Sequence, residues 1–317
     1  MSVDERVVRR PEQPHIIERL IKGGFEEATS SPENDEYRRV IYEEQHPRVT
    51  GPVNPHRVEV TDVTAMTRQI KDYALSLGAD KVGVCLIDQN HVYQGSVVPY
   101  RYGIVLGKRM DYEKIMTAPE PPAGIEVTRT YMVLGEITIR VGQYIRDLGY
   151  EAMVHHPRGD RYGESELLFI PHAMAAGFGE LGRHGSLIND EHGPIIRFGM
   201  VSTDLPLQLD GPREFGVQAF CDTCLRCWRA CPAGAIALER CWRRGYYRYI
   251  VDTERCLPYF ARTDGCGICL KVCSYTRETV EETRRISGKI HAWARSIRGK
   301  QVSGGNKRVA ATRDARR

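Results

Sequence analysis

Of the ten cysteines in this chain of 317 residues, all but Cys85 crowd between positions 221 and 273. The run Cys221-x2-Cys224-x2-Cys227-x3-Cys231 is followed by Pro232, and a second run, Cys266-x2-Cys269-x3-Cys273, lies downstream. Three thiolates at two-residue intervals can cap one face of an iron–sulfur cubane, while the fourth cysteine of such a run reaches the neighbouring cluster. The second run supplies only three ligands, so one more must come from upstream, and Cys256 is the nearest. The spacing therefore assigns Cys221, Cys224, Cys227 and Cys273 to one [4Fe–4S] cluster, and Cys231, Cys256, Cys266 and Cys269 to another. Zinc held by four cysteines is the competing chemistry, but interlocked x2-x2-x3 runs, one closed by proline, are not zinc-ribbon spacing. Cys85 lies in a buried strand pattern and reads as a small hydrophobe. Cys241 is a spare thiol or, alternatively, the eighth ligand in place of Cys256.

Two adjacent clusters relay single electrons and do no bond chemistry themselves, so the elements around them must hold the site where the electrons are used. Residues 1–58 are polar and punctuated by proline, with helical character at 16–21 and 36–44, and read as an arm around the main domain. From residue 59 to 212 helical and extended patterns alternate. Val63, Met66, Ile70, Ala74 and Leu77 share one helix face, with Thr61 or Asp62 as cap and Gly78 as stop. Residues 81–87 and 102–106 read as strands, and the prolines of 117–124 as a break. Val127, Tyr131, Leu134, Ile137, Val141, Ile145 and Leu148 form the apolar stripe of a second helix, ended by Gly149. Residues 151–155 and 195–202 are further strands, and 167–176 starts a buried helix. This rhythm predicts an α/β sandwich packed as one layered domain. A ferredoxin-like module follows at 213–280, then a last helix and a basic tail at 281–317. That tail carries Arg298, Lys300, Lys307, Arg308, Arg313, Arg316 and Arg317 with few large apolar residues, a composition that reads as disordered.

The bulk composition excludes several classes. A hydrophobic fraction of 41% with 27% charged residues is ordinary for a globular protein. No apolar run of about 18 residues is present, so no membrane span is expected. Arg9-Arg10 has no apolar segment behind it and is not read as an export signal, which predicts a cytoplasmic protein. In a reducing compartment, crowded cysteines point to metal ligation and not to disulfides. A net charge of +4 is too small to argue for a nucleic-acid partner.

Four blocks carry a resemblance: 104–119 (IVLGKRMDYEKIMTAP), 144–152 (YIRDLGYEA), 176–207 (AGFGELGRHGSLINDEHGPIIRFGMVSTDLPL) and 215–236 (FGVQAFCDTCLRCWRACPAGAI). In this order they resemble the cobalamin-dependent reductive dehalogenases, over about residues 50–280, and more distantly the epoxyqueuosine reductases. The resemblance implies a nitroreductase-like α/β sandwich that holds the corrinoid base-off, ahead of a ferredoxin-like module with two [4Fe–4S] clusters. The Asp-x-His-x-x-Gly motif of other corrinoid proteins is not completed by Asp190-Glu191-His192, which suits a base-off cofactor. The clusters would deliver electrons to cobalt while a tyrosine delivers a proton. By this resemblance Tyr131 is the proton donor and Arg183 the cation that activates it, since a nearby cation stabilises a phenolate. Gly177, Gly179, Gly182 and Gly185 would let the backbone approach the cofactor closely. His155, His156, His172 and His184 lie near these blocks and are assigned no role.

The expected activity is reduction of a carbon–halogen or similar bond in a small molecule, with electrons from an external donor such as ferredoxin or flavodoxin. Two alternatives stand: cobalamin-dependent reduction of a non-halogenated, epoxide-like substrate, and a corrinoid-free electron carrier. The chain departs from the family in three ways. It is shorter than the respiratory dehalogenases, which leaves the halogenated substrate open. Ser274 follows Cys273 where the family usually has proline. It also lacks the helical-repeat extension of many epoxyqueuosine reductases, which argues against a tRNA substrate.

Overall fold

The computed structural model describes residues 31–93, 95–159, 165–243, 246–263 and 265–311. The helical character expected at 16–21, and Arg9-Arg10, lie outside them. Helix α1 (Pro32–Arg39) is capped by the Ser31 side chain and continues into a π-helical turn, Val40–Gln45. Helix α2 (Val63–Ser76) is capped by Asp62, which accepts the N–H groups of Thr64 and Ala65. Strands β1 (Lys81–Leu86) and β2 (Tyr102–Arg109) follow, then the short helix α3 (Tyr112–Met116) and the long helix α4 (Pro121–Asp147). The predicted break at 117–124 is corrected here. Pro121 and Pro122 open α4, where a missing N–H has no intrahelical partner to lose.

Next come β3 (Ala152–His155), α5 (Phe169–Ala175), and two short strands, β4 (Glu180–Leu181) and β5 (Leu187–Ile188). Strand β6 (Ile196–Thr203) completes the main sheet, whose order is β1-β2-β6-β3 with every pairing antiparallel. Side chains alternate across its faces. Val84, Ile104, Leu106 and Val201 pack against α2 and α4 residues such as Ile70 and Leu134. Cys85, Val105 and Met200 face the opposite way, onto Ala173 of α5 and Phe178. With both faces covered, the sheet is the middle layer of a mixed α/β domain.

The cysteine segment consists of α6 (Val217–Cys224), α7 (Arg226–Ala230), the hairpin β7 (Ile236–Arg243) and β8 (Tyr246–Val251), then α8 (Thr253–Arg262) and α9 (Ile268–Lys271). The last helix, α10 (Val280–Ala311), continues well beyond Ile297, through residues whose composition reads as disordered. Its Ile290 packs with Phe215, Cys221 and Tyr275, so it braces the cysteine segment. Among the described residues no helix is long and apolar enough to cross a membrane.

Candidate active site and cysteine centres

The first cysteine group is placed by a sharp reversal between two short helices. Leu225 adopts a left-handed φ of 57° and ends α6, so α7 starts in a new direction. A non-glycine residue there costs about 1–2 kcal/mol. The reversal brings Cys224 and Cys227 to one space, where they are joined by Cys221 from α6 and Cys273 from the turn after α9. Leu225, Tyr275, Arg183 and His184 line the same space. Among the described residues no three His, Cys, Asp or Glu side chains close on one point, as a single metal ion would need. The four thiols surround a common space instead.

Cys256, Cys266 and Cys269 form the second group, and each feels the charge of Cys231. Cys241 is exposed on β7 and belongs to neither group. Burial pushes the Cys221 and Cys269 thiols up to about 12 and Cys227 to about 11, and it raises Cys273 further. Free thiolates are therefore disfavoured in these pockets, whereas coordination to a metal centre deprotonates a thiol outright. Buried Cys85 is likewise raised to about 12, and its Sγ faces the Gly103 carbonyl.

Two buried charged residues tie this segment to the sheet domain. Glu180 Oε1 accepts the main-chain N–H groups of Phe215 (2.6 Å) and Val217 (3.0 Å), which satisfies donors at the start of α6. All three nitrogens of the Arg183 guanidinium donate elsewhere. Its Nε and Nη2 donate to the Cys221 carbonyl at 3.1 and 2.7 Å, and Nη1 donates to those of Ala237 (3.0 Å) and Leu238 (2.5 Å). Its Cζ lies 3.7 Å from the Tyr249 ring centroid. The expected pairing of Arg183 with Tyr131 is thus corrected. Arg183 clamps the first cysteine helix to the β7–β8 hairpin, and the cation over the Tyr131 ring is Arg197, at 5.6 Å.

Tyr131 lines a cavity of about 460 Å³ that also meets His91, Tyr93, Arg158, Tyr246 and Arg248. Its volume is that of a small-molecule site. Tyr246 comes from β8 and stacks on His91, with its hydroxyl 3.2 Å from His91 Nε2. Leu167, Phe169 and Met174 give the cavity apolar walls. Of the four glycines expected against a cofactor, Gly185 lines the cavity. The others are explained by close packing within the chain. A Cβ on Gly177 would meet the Gly211 carbonyl, one on Gly179 the Ile188 carbonyl, and one on Gly182 the side chains of Ile188 and His184.

The turn between β4 and β5 separates the two regions. Leu181 and Gly185 face the cavity, while Arg183 and His184 line the space of the first cysteine group. That group is therefore the one next to the cavity.

The histidines are mostly structural. His155 is buried between Glu166 Oε2 (2.8 Å) and Ser202 Oγ (2.9 Å). His172 Nε2 accepts the Asp88 N–H at 3.1 Å, so Nδ1 carries the proton and donates to the Leu168 carbonyl at 2.6 Å. His156 is held between the Arg158 N–H and Gln45 Oε1. His184 differs: its Nδ1 accepts the Ser186 N–H, and its buried Nε2 has no partner among the described residues.

Sequence reasoning missed Tyr246, Arg248 and the hairpin that carries them. The run Tyr246–Val251 is rich in aromatic and β-branched residues, which is a usable strand signal.

The chain is 30% identical over 269 residues to a tetrachloroethene reductive dehalogenase of Sulfurospirillum multivorans, covering 70% of this chain and 52% of that protein. A solved reductive dehalogenase, whose structure suggests a mechanism for B12-dependent dehalogenation, superposes with a TM-score of 0.78 at 25% identity, covering 92% of this chain and 46% of that one. The epoxyqueuosine reductase of Escherichia coli is 30% identical over a shorter stretch of 146 residues, covering 40% of this chain and 35% of that enzyme. No protein-family profile matches. The chain spans about half the length of the dehalogenases it matches.

Proposed function

We propose that this chain, a homologue of the reductive dehalogenases and more weakly of the epoxyqueuosine reductases, is an iron–sulfur oxidoreductase that passes electrons through two [4Fe–4S] clusters to cobalamin, to reduce a carbon–halogen or similar bond. The observation that carries this proposal is the turn between β4 and β5, one side of which lines the cavity and the other the first group of four cysteines.

Cys221, Cys224, Cys227 and Cys273 would hold the inner cluster. Cys231, Cys256, Cys266 and Cys269 would hold the outer one, where a donor such as ferredoxin or flavodoxin delivers electrons. On this view residues 59–212 form a nitroreductase-like sandwich, residues 213–280 a ferredoxin-like module, and the small-molecule substrate enters the cavity between them. The donor sets fit their groups. Eight thiols stand in two sets, and the apolar walls with Arg158 and Arg248 suit a ring with apolar faces and an anionic phosphate. When bound, cobalamin supplies the reducible cobalt centre.

The chain's own residues do the remaining work. Tyr131 holds the proton to be delivered on its phenolic hydroxyl, and the Arg197 guanidinium lies over its ring, 5.6 Å from the centroid. Arg183 and Glu180 fix the inner cysteines against the cavity wall.

Corrinoid content tests this proposal directly. Protein produced in a cobalamin-supplied host is expected to retain about one corrinoid per chain. Purification with iron and sulfide but no cobalt, even after anaerobic reconstitution, leaves the electron-carrier alternative. In the loaded protein Tyr131→Phe should abolish turnover while cobalt is still reduced by the clusters. Turnover that survives the exchange assigns the proton to another group. Competition between halogenated and epoxide substrates separates the two enzymatic alternatives.

A further inference from the structure

Ser274 stands directly after the last cysteine, with its Oγ 3.3 Å from Cys224 Sγ. A thiolate bound to iron has no proton to give, so in a loaded cluster the hydroxyl must be the donor. Two further donors face the same space without an acceptor. His184 is buried, and because its Nδ1 accepts the Ser186 N–H, its proton sits on the unpartnered Nε2. The Tyr275 hydroxyl is buried and also unpartnered among the described residues. An unpaired buried donor is costly, and acceptor sulfurs in that space would recover that cost. Phe215 and Phe220 pack edge-on against Tyr275, holding its ring beside the thiols.

Resting on the two-cluster reading above but on neither cobalamin nor substrate, we infer that Ser274 donates a hydrogen bond to the Cys224 sulfur of the inner cluster and raises that cluster's reduction potential, with His184 and Tyr275 as supporting donors. A hydrogen bond to a ligand sulfur withdraws electron density and favours the reduced cluster. Proline at position 274 would supply neither the hydroxyl nor a main-chain N–H. The inner cluster adjoins the cavity, so its potential sets how readily an electron rests beside the site of reduction.

Potentiometric titration followed by electron paramagnetic resonance reads the effect. The unaltered protein must first show about eight irons per chain with matching sulfide, and failure there overturns the two-cluster reading itself. With that met, Ser274→Ala should keep its iron and move one of the two midpoints to a more negative value. Ser274→Thr, which retains a hydroxyl, should leave that midpoint in place. No shift, or equal shifts at both clusters, overturns the inference. If the alanine variant loses iron, the unaltered protein still decides. After exchange into deuterated water, electron–nuclear double resonance should detect an exchangeable deuteron coupled to one cluster, and that coupling should persist in Ser274→Thr. Its absence overturns the inference.

Discussion

The sheet domain and the cysteine segment hold themselves together by different means. In the first, both faces of β1-β2-β6-β3 are buried under helices, and continuous apolar clusters surround Leu134 on one side and Phe178 on the other. In the second, the apolar cluster counts Cys221 and Cys273 among its own members, and α8 contributes little beyond Leu257 and Ala261. Leu270 adds a small apolar contact with Met110, Ile115 and Ile195, and directed polar contacts complete the attachment: the buried Glu180 carboxylate at the start of α6 and the buried Arg183 guanidinium on three carbonyls. A region with a small core needs another source of cohesion, commonly a metal centre. The sheet is a scaffold that folds by burial, whereas the segment beside it leans on a few directed bonds and, with the clusters proposed above, on ligation.

The largest expected effect follows from removing what ligation supplies. Stripping the clusters with a chelator after oxidation should abolish amide protection across α6, α7, α8 and α9 while β2 and β6 stay protected. Hydrogen exchange resolved by peptide makes the comparison. Loss of protection in both regions together would show that the sheet leans on the cysteine segment, contrary to the packing seen here.

A smaller effect isolates the directed bonds. Arg183→Met keeps bulk but leaves the carbonyls of Cys221, Ala237 and Leu238 without their donor, at a cost of about 3 kcal/mol. It should speed loss of iron and leave the exchange rates of the sheet unchanged. If iron loss is unaffected, Arg183 does not clamp the first cysteine helix.

These contrasts also explain how much could be read before the fold was known. Cysteine spacing is legible because side chains with two residues between them on a tight turn stay neighbours, and the structure gathers Cys221, Cys224 and Cys227 with Cys273 around one space. Strands and helices of the sheet domain are legible because burial imposes periods of two and 3.6 residues. Two kinds of feature were not. The prolines at 121 and 122 announce either a break or a helix start, and only the packing of α4 decides between them. Arg183 sits in a block whose resemblance suggested a role toward Tyr131. Its actual partners, however, lie 38 to 55 residues away along the chain and are main-chain carbonyls. No side-chain pattern marks a carbonyl as a partner, and the β7–β8 hairpin that supplies two of them had itself gone unread.

The smallest effect concerns acid, and it belongs to the sheet domain. Burial, with minor contributions from His46 and Arg158, lowers the His156 pKa to about 3, while its Nε2 donates to Gln45 and the ring abuts Gly135 of α4. Unfolded, the same imidazole titrates near its ordinary value of about 6.5. The folded-state pKa is depressed, so the unfolded chain takes up a proton first as pH falls. The stability associated with neutral His156 is complete above about 6.5 and declines from there until the folded pKa near 3 is reached. Between pH 7 and pH 5 the loss should be about 2 kcal/mol, read as a lower urea midpoint for the sheet domain. His156→Gln keeps an amide donor for Gln45 and cannot be protonated, so this acid limb should flatten even if the variant is less stable at pH 7. An unchanged limb would assign the acid sensitivity to other buried histidines, of which His172 and His192 are also lowered by burial. His156 contacts Gln45, Gly135 and the Arg158 N–H and not the cysteine segment, so iron content should stay constant across the same pH range, separating the two regions once more.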